Sequence, residues 1–382
     1  MSWKDKTTVV EKRLEFVKLC DDGRYTVSSL CERFGVSRKN GYKWLQRYRE
    51  EGIDGLKDKR RAPRSQPFRI SDDIEEALLA ERDAHPHWGP RKILAVLRRD
   101  APDEQWPVAS TVYDVLKRNG RIKSQRRRHK HQHPGKPVVE MDRPNSVWCI
   151  DFKGQFKLGN GQWCYPLTVT DGFSRALLCA HALTSTKLEP VRRVFIRLFK
   201  KYGLPEVILS DNGTPFASTG IRGLSRLSVW WIRLGIRHVR TEPSSPEQNG
   251  RHERMHRTLK AETTKPPKQT MKAQQREFDR FQHEYNCVRP HEALGQETPI
   301  SRYAKSPRQY PKRLDYVDYP RNFLIRLVSA SGEFCWRNKH VFLSTALAGQ
   351  HVGLEETDDG IWSIYFASEE LGRLDVRTNT VK

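Results

Sequence analysis

The run Glu206-Val-Ile-Leu-Ser-Asp211 constrains the fold more than any other part of the sequence. Its apolar residues occupy successive positions, so both faces of a strand here must be covered. That is the pattern of a buried parallel strand rather than of a half-exposed antiparallel one. Parallel neighbours cannot be joined by a tight hairpin and need a crossover, normally a helix. The flanking sequence supplies one on each side. Residues 188–202 carry Val191, Val194, Phe195, Leu198 and Phe199 at helical spacing and close at Gly203, and residues 221–235 read as a second helix before the strand IRHVR (236–240). Upstream, VWCIDFKG reads as a strand, LGNGQ (158–162) as a hairpin turn, and WCYPLTVTD and SRALLCAH as two further strands. A basic helix follows the last strand. The order β-β-β-α-β-α-β-α predicts an α/β domain.

The regions on either side are different in kind. Between Thr8 and Cys20, Val10, Leu14 and Val17 form one stripe of an amphipathic helix. YTVSSLCERFGVSRKNGYKWLQRYRE (25–50) then reads as helix, tight turn, helix: Leu30 and Phe34 face inward, Gly35-Val36 turns the chain, Ser37 caps the second helix, and Trp44, Leu45 and Tyr48 pack beneath it. Arg38, Lys39, Asn40, Tyr42 and Lys43 are left on the exposed N-terminal half of that helix, where a helix-turn-helix meets base edges and phosphates. The plainer alternative is a three-helix bundle with a solvated basic face. After a basic, proline-bearing linker (55–67), Ser71 begins an acidic first turn and Gly89-Pro90 opens a helix with Ile93 and Leu97. Ser110 is expected to cap another helix, with Val112, Val115 and Leu116, that stops at Gly120. This predicts a second helix-turn-helix. Phe278, Phe281 and Tyr285 mark a late helix, and the end of the chain alternates short strands with turns at Ser331-Gly332, Arg337-Asn338 and Asp359-Gly360, the pattern of a small β-barrel. The expected organisation is multidomain: helix-turn-helix modules at 1–54 and 68–120, a basic linker at 121–140, an α/β core at 141–305 and a β-barrel at 321–382.

Charge narrows the partner. The 382 residues hold 69 Lys+Arg against 46 Asp+Glu, a formal net charge of +23. An excess that one-sided is drawn to polyanions, and double-stranded DNA is the expected partner. Residues 121–136 concentrate seven Lys/Arg and no acid; Arg126, Arg127 and Arg128 at their centre are expected along the phosphate backbone, which makes binding salt-sensitive. His129, His131 and His133 alternate there without a Cys pair, so zinc is not expected. Seven scattered Cys with no C-x-x-C pair argue against a disulfide framework and for a reducing compartment. With no run near the ~18 apolar residues of a membrane span and no apolar leader, the expectation is a cytoplasmic, nucleoid-associated protein off the membrane.

Two carboxylates stand where chemistry is expected. Asp151 lies between Ile150 and Phe152 in an apolar strand, where a charge is costly unless paired or bound to metal. Asp211 ends the strand EVILS, at the edge where open α/β sheets place their sites, and Asn212-Gly213 turns the chain away from it. With a third carboxylate from a helix, two such Asp can hold two divalent ions ~3.5–4 Å apart, a clamp for in-line phosphoryl displacement. Oxygen ligands favour Mg²⁺ or Mn²⁺ over Zn²⁺. Asp171, in VTDGFSR, reads as a turn residue.

Taken together, WCIDF, LSDNGTPF, PSSPEQNGRHERMHRTLK and YNCVRPHEAL resemble the integrase-core transposases of bacterial insertion sequences, relatives of retroviral integrases with an Asp-Asp-Glu (DDE) triad. The resemblance covers about 145–305 and implies a ribonuclease-H-like catalytic core. In such enzymes the Glu follows an N-G or Q-G step and opens a basic helix, which points to Glu253. The family's usual spacing of 35 intervening residues instead matches Glu247, whereas 41 residues separate Asp211 from Glu253. Glu253 is preferred, because STGIRGLSRLSV (218–229) can absorb the extra residues and because Glu253, Arg257 and Lys260 share one helical face, a ligand beside two phosphate contacts. The implied function is metal-dependent cleavage at the terminal inverted repeats of a mobile element, freeing a 3′-hydroxyl that attacks target DNA. A homodimer or higher multimer on DNA would pair the two ends. The rival readings are a repressor with an inactive core and a nuclease that does not transpose.

Overall fold

The computed structural model describes residues 9–59, 70–122, 139–242 and 250–381. The chain divides into two compact units, Met1–Ser71 and Asp72–Lys382. The first holds α1 (Val9–Asp21), α2 (Val27–Arg33) and α3 (Arg38–Glu51), around a core of Phe16, Val17, Leu30, Cys31, Trp44, Leu45 and Leu56. Gly35 turns the chain at φ 63°, and the Ser37 hydroxyl accepts from the Asn40 amide at 3.3 Å, so the cap falls where the sequence places it. Arg38, Lys39, Asn40, Tyr42 and Lys43 are all exposed on the first turns of α3.

The second unit opens with α4 (Asp72–Ala84), α5 (Pro90–Asp100) and α6 (Ala109–Arg118). Gly89 caps α5 and Pro90 takes its first position, where a missing N–H is harmless. Ser110 is not the cap of α6: Val108 holds that position without a side-chain hydrogen bond, and Ser110 lies inside the first turn. The helix needs no polar cap because Val112, Val115 and Leu116 anchor it in the core.

The central sheet comprises β1 (Val147–Phe152), β2 (Phe156–Lys157), β3 (Trp163–Asp171) and β4 (Leu177–Leu183), then, after α7 (Leu188–Tyr202), β5 (Val207–Ser210), and, after α8 (Arg226–Arg233), β6 (Arg237–Arg240). β1 pairs antiparallel with β3 and parallel with β5, which pairs parallel with β6. β5 is therefore the buried parallel strand its sequence predicts. The core on one face is built from Trp148, Ile150, Val194, Phe195, Phe199, Trp230 and Trp231. The other face is crossed by α9 (Gly250–Thr263) and α10 (Met271–His283), whose Met255, Leu259, Phe278 and Phe281 pack with Leu177 and Ala180 of β4.

The C-terminal region is not a closed barrel. β7 (Leu324–Leu327), β8 (Glu333–Trp336), β9 (Lys339–Phe342), β10 (His351–Asp358), β11 (Ile361–Phe366), β12 (Glu369–Asp375) and β13 (Thr380–Val381) form an open five-stranded sheet, ordered β13-β12-β11-β10-β7, and a separate β8–β9 hairpin. Its apolar face is covered by Phe334 and Trp336 of the hairpin and by Leu224, Val229 and Ile232 from around α8. A face already buried this way has no need to close on itself. Among the described residues no helix is long and apolar enough to cross a membrane.

Candidate active site

β1 and β5 run in register, Val147 beside Val207, Trp148 beside Ile208 and Cys149 beside Leu209. Continued by two residues, that register brings Asp151 level with Asp211, and side-chain alternation sends both carboxylates to one face. α9 lies across this face. His252, Met255, His256 and Leu259 are buried against the sheet, while Glu253, Arg257 and Lys260 are exposed along one flank.

The electrostatics show which groups meet. Burial foremost, then the charge of Asp211 and, more weakly, that of Glu253, push the Asp151 carboxyl up to about 7, against the opposing pull of the Phe152 amide and of Lys153. The charges of Asp211 and Glu253 thus reach Asp151. The Asp211 carboxylate accepts from the Gly213 amide at 3.2 Å, and Asn212 donates to the Thr241 carbonyl at 2.9 Å, which ties the turn after β5 to the end of β6. Lys260 lies near enough to Lys153 to join burial in lowering that lysine's pKa. Arg126, Arg127, Arg128, Glu247 and the three alternating histidines lie outside the described residues.

Sequence reasoning missed the support beneath α9. Thr168 of β3, directly across from Asp151, holds two histidines through one hydroxyl: His252 Nε2 at 2.7 Å and His256 Nε2 at 2.6 Å. The same hydroxyl donates to the Asp151 carbonyl at 3.0 Å, so both imidazoles donate to it. His252 Nδ1 is then left to accept from the Thr170 hydroxyl at 2.9 Å, and His256 Nδ1 stands 3.6 Å from Asp151 Oδ2. Burial lowers the His252 pKa to about 3; burial and then His252 lower that of His256 further. Both rings are neutral, so the 3.6 Å contact is no ion pair. The spacing 252, 255, 256, 259 is the available signal: it marks the buried stripe of an amphipathic helix. Asp171 is the last residue of β3 and caps the turn that follows: its buried carboxylate accepts from the Asn145 amide, the Ser174 amide and the Ser174 hydroxyl.

Two donor sets could receive a cation. Asp151, His252 and His256 offer ligand atoms within 4.8 Å of one another. However, both His252 nitrogens and one of His256 are engaged with threonine hydroxyls, which leaves that set short of donors. Asp151, Asp211 and Glu253 offer oxygens only, and the charges of Asp211 and Glu253 add to burial in raising Asp151, which a divalent ion would offset. Oxygen-only donors suit a hard divalent cation.

Comparison with known proteins places these elements. Residues 141–246 and 234–299 match integrase core domain models, residues 12–64 a helix-turn-helix domain, residues 40–116 a homeodomain-like domain, and residues 324–382 the C-terminal domain of IS481 family transposases. The chain belongs to the IS481-type, DDE integrase-core transposases. Its core is of the polynucleotidyl transferase family. This IS481-type chain is 29% identical over 189 residues to the Gag-Pol polyprotein of baboon endogenous virus (strain M7), covering 50% of this chain and 10% of that polyprotein. It is 31% identical over 126 residues to the Gag-Pol polyprotein of koala retrovirus, covering 32% and 7% respectively. The chain thus spans about a tenth or less of the length of these relatives. Among solved structures it is similar to the HTLV-2 integrase catalytic core domain in complex with magnesium (17% identity, TM-score 0.35, 44% of this chain and 100% of that one). It is also similar to the simian T-cell lymphotropic virus intasome in complex with the PP2A regulatory subunit B56 gamma (16% identity, TM-score 0.38, 77% and 97%).

Proposed function

We propose that this chain is a transposase that binds the terminal inverted repeats of a mobile element, cleaves a DNA strand at the element's 3′ end, and joins that end to target DNA. The observation that carries the reading is that Asp151 and Asp211 stand level on two parallel strands with Glu253 on the helix across the same face, where burial and then the charges of Asp211 and Glu253 raise Asp151. Bound there, Mg²⁺ or Mn²⁺ would supply the positive charge that activates an attacking oxygen and stabilises a leaving one. The protein's share is positioning. The β1–β5 register fixes two carboxylates relative to one another, and the Thr168–His252–His256 cluster fixes α9, and so Glu253, over them. Arg257 and Lys260 extend from the same flank of α9 toward DNA phosphates. Arg38, Lys39, Asn40, Tyr42 and Lys43 on α3 would read the terminal repeats, with Arg126, Arg127 and Arg128 adding sequence-independent attraction. Cleaving and joining two ends calls for a homodimer or larger multimer on DNA.

The test uses duplexes carrying the sequences that flank the gene, with Mg²⁺ or Mn²⁺ supplied. Glu253→Gln keeps shape and hydrogen bonding but removes charge, and should lower cleavage by roughly a hundredfold or more, while Glu247→Gln should keep most of the rate. End binding should persist in both. A silent Glu247→Gln beside an active Glu253→Gln would hand the third carboxylate to the loop. A wild-type chain that binds ends but never cleaves would favour the repressor, and cleavage without joining of a free 3′-hydroxyl would favour the nuclease.

A further inference from the structure

The flank of α9 opposite Glu253 borders a pocket of about 200 Å³. Four parts of the chain wall it: α5 with Lys92, the β3–β4 turn with Arg175, α9 itself with Arg251 and Arg254, and the segment after α10 with Arg289 and Tyr285. Five cationic side chains therefore converge on one small space, and the acids nearby answer only part of that charge. Asp171 spends its carboxylate on Asn145 and Ser174. Glu292 pairs outward with Arg91 at 2.6 Å, and Glu262 is taken by Arg289 at 2.8 Å. The side chains of Lys92, Arg175 and Arg254 have no hydrogen-bond or ion-pair partner among the described residues.

The crowding is felt by the groups themselves. Burial first, and then Arg251 and Arg254, hold the Arg175 guanidinium below its ordinary range. Burial and then Arg289 bring Lys92 down to about 8, against the opposing pull of Glu262 and Glu292. Arg175 also sits at φ 63°, a left-handed conformation that side chains other than glycine rarely adopt. Partly buried like charges without a counter-ion oppose folding unless an anion completes them. Guanidinium forks suit the oxygens of a phosphate in particular.

We propose that this pocket seats a backbone phosphate of the DNA strand whose end lies at the carboxylates, gripping it on the far side of α9 from the reaction. The inference rests on the functional reading above for the strand's position. An α-helix with its side chains is on the order of 10 Å across, and phosphates recur every ~3.4 Å of axis along one strand, so a strand crossing α9 presents a phosphate to the pocket within about three nucleotides of the triad. The same chemistry would also accept free phosphate, and the experiment separates the two sources.

The full chain is titrated with a short blunt duplex of arbitrary sequence at several salt concentrations without divalent ions, and separately with inorganic phosphate alone, followed by thermal unfolding. The double variant Arg175→Ala/Arg254→Ala should bind the duplex about tenfold more weakly at moderate salt, with the slope of log K against log salt reduced by about one. Arg175→Lys/Arg254→Lys, which keeps both charges, should retain the wild-type slope and so separates lost contact from lost folding. Inorganic phosphate should leave the unfolding temperature of all forms nearly unchanged. An unchanged slope in the folded double-alanine variant overturns the proposal. An unchanged slope together with phosphate protection of the wild type alone overturns it in favour of a free anion. Metal-dependent cleavage by the wild type is scored separately: a reduced slope without cleavage supports the phosphate grip while removing the catalytic reading, and cleavage with an unchanged slope does the reverse.

Discussion

At the scale of single residues, Asp151 carries the sharpest consequence. Its carboxyl is raised to about 7 in the folded chain by burial, Asp211 and Glu253, whereas in the unfolded chain it returns to the usual carboxylate range. Between those two values the folded state binds more protons than the unfolded one, so the contribution of Asp151 to stability falls as pH rises through that window. Metal-free protein should therefore lose stability from about pH 4 toward about pH 8, and Asp151→Asn should flatten that loss, with the gap between variant and wild type widest at the alkaline end. Unfolding temperatures in chelator across the pH range test this. Adding Mg²⁺ at the alkaline end should raise the wild-type temperature more than that of Asp151→Asn, because only the former has the full oxygen set to neutralise. Asp151 and Asp211 are legible in the sequence through their strand context. Nothing there indicates that Thr168 holds two imidazoles, since a threonine in a strand reads only as a β-branched residue.

At the scale of elements, α9 is held on the sheet by the packing of Met255 and Leu259 and by that one hydroxyl beneath His252 and His256. Thr168→Val keeps the volume but strands two buried imidazole N–H groups, and should cost about 1–3 kcal/mol in stability. It should also slow cleavage while DNA affinity stays near wild type, because Glu253 loses its fixed height over the sheet; denaturant unfolding and single-turnover cleavage on the same preparation separate the two effects. Elements with strong periodicity are legible from their residues alone: residues 188–202 and WCYPLTVTD correspond to α7 and β3 without adjustment. Two expectations fail for a shared reason. Ser110 is the right residue type for a cap, and the last strands have the pattern of a barrel, but tertiary packing settles both: α6 is held by its apolar face, and the C-terminal sheet is covered by α8 and a hairpin. Local pattern records which face is apolar, not what will cover it.

At the scale of the whole molecule, the division falls at Ser71, with α4, α5 and α6 on the side of the core. His85, stacked on Trp88 with ring centroids 3.7 Å apart, meets Glu284 at 3.1 Å, and α5 contributes Lys92 to the pocket beside α9. A chain lacking residues 1–71 should accordingly fold to a 72–382 unit that keeps metal-dependent activity on any duplex but loses selective footprints at the element's ends. Removal of residues 1–120 should expose the Tyr285 side of the core and lower its unfolding temperature; calorimetry on the two truncations distinguishes them. The parallel pairing of β1 with β5 also bears on biosynthesis. On the proposed reading, the three carboxylates lie in chain order at 151, 211 and 253, and the second joins the first only after the α7 crossover has folded. A nascent polypeptide, or any fragment released early from the ribosome, is therefore without a complete reaction centre until Gly250 and the turn that follows have been translated. On that reading a chain cannot cut DNA for most of its own synthesis, and a nonsense mutation upstream of Glu253 yields a product that cannot cleave.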